Sequence, residues 1–356
     1  MRVVTITVAL ALSAALCVAR NGAAAEPTRA EGAAGESARN GWWRDSFEKA
    51  RAGAVIDEKI VLLLYGRADQ KWTKRLREAF SKKALGDDAA RVLAVFVEED
   101  RHKEVARLRV SRKCVPTLLL VWPKEERVFL RLEDPRDFEK AGAMVRRALE
   151  KEKSAHAWLE KDLACKREGA ADDAASLLRL GRFFAEFHEW FEAERTLNRV
   201  LAADKDNKDG LALEAAETLV TVGVGRCRAA SVRRAATDVR KWAGKDDVGA
   251  HELADWGEAY AAQFFERKID EAADRWEKYL KKYEKGAHRA VALLFLGLCR
   301  YAQHRREEAK TLWKRVLHEH ADEPAARRAK GFLAGMDVPA DVSAPRTEER
   351  PKKESK

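Results

Sequence analysis

Seven small or apolar residues recur in the same order in two parts of the chain, and this repetition constrains the fold of the C-terminal half more than any other feature. Both sets follow a helical period and place one glycine and one alanine where two helices would pack closely. A single helix hairpin cannot bury its apolar face alone, so several copies must stack to form a core. The first set is Leu177, Leu180, Gly181, Ala193, Leu197, Val200 and Leu201, and the second is Leu293, Leu296, Gly297, Ala309, Trp313, Val316 and Leu317, with the same separation in every pair.

Two weaker copies of this pattern lie between the two sets, and a further helix follows them. Residues 208–244 give a degenerate pair of helices with Gly223 and Gly225 at the turn, and Pro324 predicts a capping helix that ends near Met336. The region 153–336 is therefore predicted to hold four helix hairpins. The other weak copy consists of Trp256, Ala259, Tyr260, Ala272, Trp276, Tyr279 and Leu280.

This pattern resembles the tetratricopeptide repeat (TPR), a helix hairpin of about 34 residues. The resemblance implies an all-α, TPR-like helical solenoid whose concave surface binds an extended or helical segment of another protein. Polar residues on the inner helices would line that surface. Those expected to be exposed there are Arg182, Asn198, Glu258, Arg300 and Gln303.

The chain before the repeats has the pattern of a small α/β domain, predicted over residues 41–152. Its strands and helices alternate first and then end with two strands and a helix, which predicts helices on both faces of one sheet. Continuous apolar runs predict buried central strands, and an alternating run predicts an edge strand. The predicted strands are 60–65, 91–97, 118–122 and 127–132, and the predicted helices are 42–50, 71–83, 102–108 and 138–151.

One loop of this domain carries a family signature. Val115-Pro116-Thr117 precedes the third strand and resembles the cis-proline loop of the thioredoxin-like family, in particular its exported bacterial members. Lys74 and Leu76 match the helix residues that follow the second cysteine of the family's redox pair. The resemblance covers about a third of the chain and implies a thioredoxin-like fold for residues 41–152.

The sequence departs from that family at the redox pair itself, because the two cysteine positions fall on Gln70 and Thr73. Thr73 could cap the following helix in place of a thiol, but it has no thiolate chemistry. The resemblance therefore implies a vestigial site without catalytic residues. Its positions are Gln70, Thr73, Cys114, Val115 and Pro116.

Two interpretations of Cys114 remain open. In the family the residue two before the proline is small, and cysteine fits that position. Alternatively, Cys114 supplies a single thiol that forms mixed disulfides, with Arg112 and Lys113 lowering its pKa. The second interpretation would make the chain a thiol-disulfide oxidoreductase or chaperone-like protein that uses the cis-proline groove.

The N-terminus has the pattern of a secretory signal. Residues 3–19 are apolar after Met1-Arg2, and small residues precede a cleavage site near Ala25. We expect a signal peptide at 1–25, a flexible leader at 26–40 and a disordered charged tail at 337–356. An uncleaved anchor or a lipid on Cys17 are the alternatives. The protein is predicted to be exported, periplasmic or extracellular after cleavage, and to meet the membrane only transiently.

The charge distribution, the glycine and histidine patterns and the cysteines bear on further classes of function. The formal net charge of +10 is spread along helical faces among acidic residues, which argues against nucleic-acid binding and leaves an acidic polymer as a weaker option. Gly223-Val-Gly225 is too short for a dinucleotide fingerprint, and His318 and His320 point to different sides of a helix, so no cofactor or metal is expected. Beyond the signal, four widely spaced thiols are expected to be buried and unpaired: Cys114, Cys165, Cys227 and Cys299.

These features together predict a non-catalytic, exported adaptor or scaffold. Its partner would be another exported or envelope protein bound at the concave face of the helical repeats, while the thioredoxin-like domain would bind or support without redox exchange.

Overall fold

The computed structural model describes residues 42–81, 85–112 and 115–336. The predicted signal, leader and tail lie outside the described residues, as does Cys114. The chain forms two compact units, of which one ends at Ala243 and the other begins at Gly244. The predicted domain boundary between 152 and 153 falls inside one long helix of the first unit.

A mixed five-stranded sheet forms the N-terminal part of the first unit, in the order β1-β3-β2-β4-β5. β1 and β2 both pair in parallel with β3, whereas β4 is antiparallel to β2 and to β5. The four strands expected from the apolar runs are confirmed. The strands are β1 (Trp43–Arg44), β2 (Ile60–Gly66), β3 (Val92–Glu98), β4 (Thr117–Trp122) and β5 (Arg127–Glu133).

The start of the domain differs from the prediction of a helix over residues 42–50. Trp43 and Arg44 form an edge strand against Ala94 and Val95, so β1 was missed. Helix α1 (Phe47–Ile56) begins only after Ser46, whose side-chain oxygen accepts a hydrogen bond from the N–H of Lys49. A serine in extended conformation is a strong helix start signal, and it outweighs the apolar spacing of the preceding tryptophans.

Helices cover both faces of the sheet, as the α/β pattern predicted. α1 and two 3₁₀ segments, Glu99–Glu104 and Ala106–Leu108, pack on one face, where a continuous helix over 102–108 was predicted. α2 (Lys71–Ala79) and α3 (Phe138–Glu168) lie on the other. Because successive residues of a strand point to opposite faces, the central strand β2 is buried along its whole length.

Helix α3 is much longer than the predicted helix 138–151. It contains 31 residues and ends at Gly169, which adopts the left-handed conformation with φ of 65°. Between Lys151 and Gly169 the sequence has no proline or glycine to stop a helix. The helix therefore continues from the sheet into the helical part of the chain.

Four more helices complete the first unit, and five form the second. Within each unit successive helices pack on one another, and α4 also contacts α6. The second helix of each pair, namely α5, α7, α9 and α11, has 14 residues. The helices of the first unit are α4 (Ala174–Glu186), α5 (Trp190–Ala203), α6 (Leu211–Gly225) and α7 (Ala229–Trp242), and those of the second are α8 (Val248–Phe264), α9 (Ile269–Lys282), α10 (Arg289–Ala302), α11 (Arg306–Glu319) and α12 (Pro324–Met336).

The repeated glycines mark the closest approach of paired helices. A β-carbon placed on Gly181 would lie 2.7 Å from Leu197 Cδ2, and one on Gly297 would lie 2.7 Å from Trp313 Cδ1. Both distances are shorter than a carbon–carbon contact, so only glycine fits without rearrangement. The recurring sequence pattern thus occupies equivalent positions in the pairs α4–α5 and α10–α11.

The sheet and the first helix pair share one aromatic core. Trp122 of β4 stacks on Phe129 of β5 with centroids 4.5 Å apart, and Phe183 of α4 lies 6.0 Å from Trp122 and 6.1 Å from Phe129. The indole N–H of Trp122 donates to Glu152 Oε1 on α3 at 3.0 Å. These contacts join the sheet, α3 and α4 into a single packed body.

A buried ion pair strengthens the same junction. Arg131 Nε of β5 donates to Glu189 Oε2, just before α5, at 2.9 Å, and the side chain of Glu189 is 5% exposed. The other guanidinium nitrogens donate to the carbonyl oxygens of Leu108 at 2.8 Å and Arg109 at 3.2 Å. In addition, the backbone N–H of Arg131 donates to Phe187 O, which satisfies the outer edge of β5 at this point.

Candidate binding site

Two of the residues singled out by the sequence, Thr73 and Pro116, lie beside the end of β2. A β-carbon on Gly66, the last residue of β2, would lie 2.9 Å from Thr73 Oγ1 and 3.4 Å from Pro116 Cβ. The start of α2 and the loop before β4 therefore lie close together beside this strand end. The absence of a side chain at Gly66 leaves the space in which the threonine hydroxyl and the proline ring lie.

The loop before β4 has the expected backbone conformation. The peptide bond between Val115 and Pro116 is cis, as the resemblance implied. Pro116 is buried and its carbonyl oxygen accepts from the N–H of Asp134, just beyond β5, at 2.9 Å. Val115 is half-buried and packs against the core between the sheet and α1. The role of Cys114 remains a prediction, because that residue lies outside the described part of the chain.

Gln70 and Thr73, the two positions where the resemblance places cysteines, differ in environment. Gln70 is half-buried and is the N-terminal cap residue of α2, although its side chain makes no capping hydrogen bond. Thr73 lies inside the helix and is fully buried, so the suggested capping role of Thr73 is wrong. Its hydroxyl has no hydrogen-bond partner among the described residues. The structure thus has an unsatisfied buried hydroxyl at one of the two positions where the resemblance places a cysteine.

The substitution Thr73→Val is expected to raise the free energy of unfolding by about 1 kcal/mol, since a methyl group of the same shape removes an unsatisfied buried polar atom. Urea unfolding followed by circular dichroism measures the change. The matched substitution Thr218→Val removes a hydroxyl that donates to Glu214 O at 2.9 Å, and it should give no such gain. A loss of stability in Thr73→Val would contradict the assignment and indicate that the hydroxyl has a partner.

The polar residues expected along the helical repeats are mostly engaged within the protein. In the first unit, Arg182 forms an ion pair with Glu214 at 2.6 Å, whereas Asn198 is exposed on α5. In the second unit, Glu258 is half-buried and pairs with Arg275 at 2.8 Å. The exposed amide of Asn198 donates to Glu194 O of its own helix at 2.7 Å, which leaves its carbonyl oxygen and its exposed surface for a partner.

Arg300 and Gln303 were expected to be exposed in that groove, and for Arg300 this is wrong. Arg300 is only 6% exposed, and its guanidinium donates to Gln303 Oε1 at 2.7 Å and to Glu277. Gln303 is half-buried and donates to Asp270 Oδ1 at 2.6 Å. Partners on neighbouring helices hold both side chains, and the single-helix pattern could not reveal them.

A buried polar cluster in the second unit was missed entirely. Glu252 is 7% exposed and accepts hydrogen bonds from Tyr279 Oη at 2.5 Å and from the N–H of His288 at 3.1 Å. Burial and this carboxylate raise the pKa of Tyr279, and burial lowers the pKa of His288. The glutamate ties α9 to the start of α10, so its role is structural. No local sequence signal marks it, because its partners are far along the chain.

The described cysteines do not all match the expectation of burial. Cys165, Cys227 and Cys299 are not joined in disulfides. Cys299 is buried, and burial raises the pKa of its thiol to about 12, as expected of an inert thiol. Cys227, in contrast, is exposed in the turn between α6 and α7, so the prediction was wrong for this residue.

Among the residues that the structure describes, no group of three His, Cys, Asp or Glu side chains is placed to hold a metal ion. None of the described helices combines the length and apolar character needed to cross a membrane. No protein-family model and no curated protein sequence matches the chain.

Proposed function

We propose that this chain is a non-catalytic exported adaptor, in which a thioredoxin-like domain without a redox dithiol is joined to a TPR-like helical array that binds another exported or envelope protein. The recurrence of helix pairs carries the proposal. The second helices begin at Trp190, Ala229, Ile269 and Arg306 and have equal lengths. Arrays of such pairs present extended surfaces to peptide segments.

The spacing of these starts is longer than the 34-residue TPR unit, so the array is TPR-like in its packing and departs from the standard repeat length. Gly181 and Gly297 support the likeness, because each allows the paired helix to approach closely. A repeat of this kind fixes the residues that pack the helices together. The side chains that contact a partner can differ from one helix pair to the next.

The order of strands, the cis peptide bond and the position of α2 support the thioredoxin-like part of the proposal. A buried threonine hydroxyl at position 73 cannot replace the attacking thiolate of a redox protein. We therefore assign this domain to binding or support.

Site-specific cross-linking tests the proposal on the full chain in cells that export it. A photoreactive amino acid at the exposed Asn198 is expected to yield one defined adduct with an envelope protein. The control position is Ile56 at the end of α1, which is 81% exposed and lies on the sheet domain. Absence of an adduct at Asn198, or the same adduct at both positions, would contradict binding by the helical array.

An insulin-reduction assay separates the proposal from the thiol-based alternative. The wild-type chain should reduce insulin no faster than buffer with the same thiol reductant. Activity that is lost in Cys114→Ser would instead establish the single-thiol oxidoreductase and overturn the non-catalytic assignment.

A further inference from the structure

The outer face of α2 carries a stripe of cations. The exposed residues of this helix are Lys71, Lys74, Arg75 and Glu78, whose spacing places them on one side. The buried residues Thr73 and Leu76 occupy the opposite side, against the sheet. Three successive positions of the exposed stripe are therefore positive, and the only acidic one is at its C-terminal end.

These three cations have no ion-pair partner within the described part of the chain. Nearby arginines do have partners: Arg67 pairs with Asp69 at 3.1 Å, and Arg136 pairs with Asp134 at 2.8 Å. The stripe Lys71, Lys74 and Arg75 thus presents uncompensated positive charge. The first turn of α2 also has no acidic residue, and cations are unfavourable beside the positive end of a helix dipole. An incoming anionic group would relieve both effects.

An aromatic pair borders the cationic stripe. Arg75 lies over the ring of Trp72 at 5.2 Å, and Trp72 contacts the ring of Phe138, at the start of α3, with centroids 5.8 Å apart. Both rings are half-buried and so keep an accessible edge. A partner that combines carboxylates with an apolar side chain would match this surface better than a purely anionic one.

Basic residues near the end of α9 differ from the cationic stripe of α2, because acidic residues lie among them. Lys278 and Lys281 of α9 and Lys285, just beyond its end, are exposed, but the exposed acids Glu277 and Glu284 lie directly beside Lys278 and Lys285 in sequence. Such interleaving gives a nearly neutral surface. On α2, by contrast, no acid lies between Lys71 and Arg77.

We propose that the cationic stripe of α2, with Trp72 and Phe138, is a docking surface for an acidic polypeptide segment that also carries an apolar residue. The three cations from Lys71 to Arg75 span about 6 Å, at 1.5 Å per residue, which suits a short segment. Binding to an anionic membrane typically uses four to eight clustered cations, and duplex nucleic acid typically takes about six to ten phosphate contacts. Three cations beside two aromatic rings favour the polypeptide.

The purified full chain tests this proposal by fluorescence anisotropy with a labelled ten-residue peptide of nine glutamates and one central leucine. The expected result is saturable binding, at least tenfold tighter than that of the same peptide with glutamine for glutamate, and weaker at higher salt. The triple variant Lys71→Gln, Lys74→Gln, Arg75→Gln should weaken binding at least tenfold. Because all three side chains are exposed, its circular dichroism spectrum and unfolding midpoint should match those of the wild type.

The matched control is Lys278→Gln, Lys281→Gln, Lys285→Gln, which removes the same net charge from exposed positions of the second unit. It should bind the peptide as tightly as the wild type does. Equal loss in both triple variants would show attraction by net charge alone, and unchanged binding in the α2 variant would exclude this surface. Vesicles containing phosphatidylserine form a third arm: tighter binding to them than to the peptide, lost in the α2 variant, would overturn the assignment to a polypeptide. The array cross-link at Asn198 is independent of all these outcomes.

Discussion

Replacing Arg131 with methionine is expected to lower the free energy of unfolding by about 3–5 kcal/mol, because Glu189 would remain buried without a compensating charge. The wild-type guanidinium is within 2.9 Å of Glu189 Oε2 and also satisfies two backbone carbonyls of the segment before β4. All three interactions are lost at once. Urea unfolding at neutral pH measures the change. The exposed pair of Arg136 and Asp134 supplies the control, since Arg136→Met should change stability by less than about 0.5 kcal/mol.

The loss in Arg131→Met should also depend on pH in a defined direction. Burial raises the pKa of Glu189 even beside Arg131, and removing the cation would raise it further. A carboxyl group whose pKa is higher in the folded state than in the unfolded state destabilises the fold as pH rises from the unfolded pKa through the folded one. The deficit should therefore be small near the ordinary glutamate pKa, about 4.3, and grow above it.

The double variant Arg131→Met, Glu189→Leu tests whether the buried charge of Glu189 causes the loss of stability. Replacing both partners by apolar residues removes the buried charge, so most of the lost stability should return. A deficit that is independent of pH, or that persists in the double variant, would show that the hydrogen bonds of Arg131 to the backbone matter more than the pairing with Glu189.

The substitution Gly297→Ala is expected to lower the free energy of unfolding by about 1–3 kcal/mol through overpacking. The added β-carbon would meet the ring of Trp313, which is 1% exposed and whose indole N–H donates to Leu294 O at 3.1 Å. The ring can move only by giving up that hydrogen bond or by displacing its neighbours. Thermal unfolding followed by tryptophan fluorescence reports both the stability and the environment of this ring.

Gly331→Ala is the matched control on α12. A β-carbon at Gly331 would meet nothing within 4 Å, and the residue is exposed in a helix. This change should raise stability by up to about 1 kcal/mol, because alanine has the higher helix propensity. If both substitutions changed the free energy of unfolding in the same direction, the close packing of α10 on α11 would not be the reason for glycine at position 297.

The sequence was sufficient for the elements whose signal is local. The strand at Ile60–Gly66 followed from a continuous apolar run, and Gly181 and Gly297 marked real helix contacts. Strand β1 was missed because two residues carry no periodicity. The end of α3 was placed too early because a sheet-and-helix domain was expected to stop where the repeats start, while Gly169 is the first local stop signal.

The candidate site could be predicted only in part. The position of Thr73 near the cis-proline loop followed from the family resemblance, but its unsatisfied hydroxyl depends on the burial of the whole helix face. Arg300 was expected to be exposed, but it is buried. Glu277 of α9 and Gln303, just after α10, accept hydrogen bonds from its guanidinium. The positive stripe of α2 was visible as four cations within residues 71–77, yet its lack of partners emerges only in three dimensions.

The aromatic core shared by the sheet and α4 limits where the chain can be divided into stable fragments. A fragment that stops at the predicted boundary after residue 152 would leave Trp122 and Phe129 without the covering ring of Phe183. Exposed rings of this size promote aggregation. Recombinant fragments, exchanged domains or shorter evolutionary ancestors would therefore have to retain the first helical hairpin along with the sheet, and the boundary between the two compact units, after Ala243, leaves that interior closed.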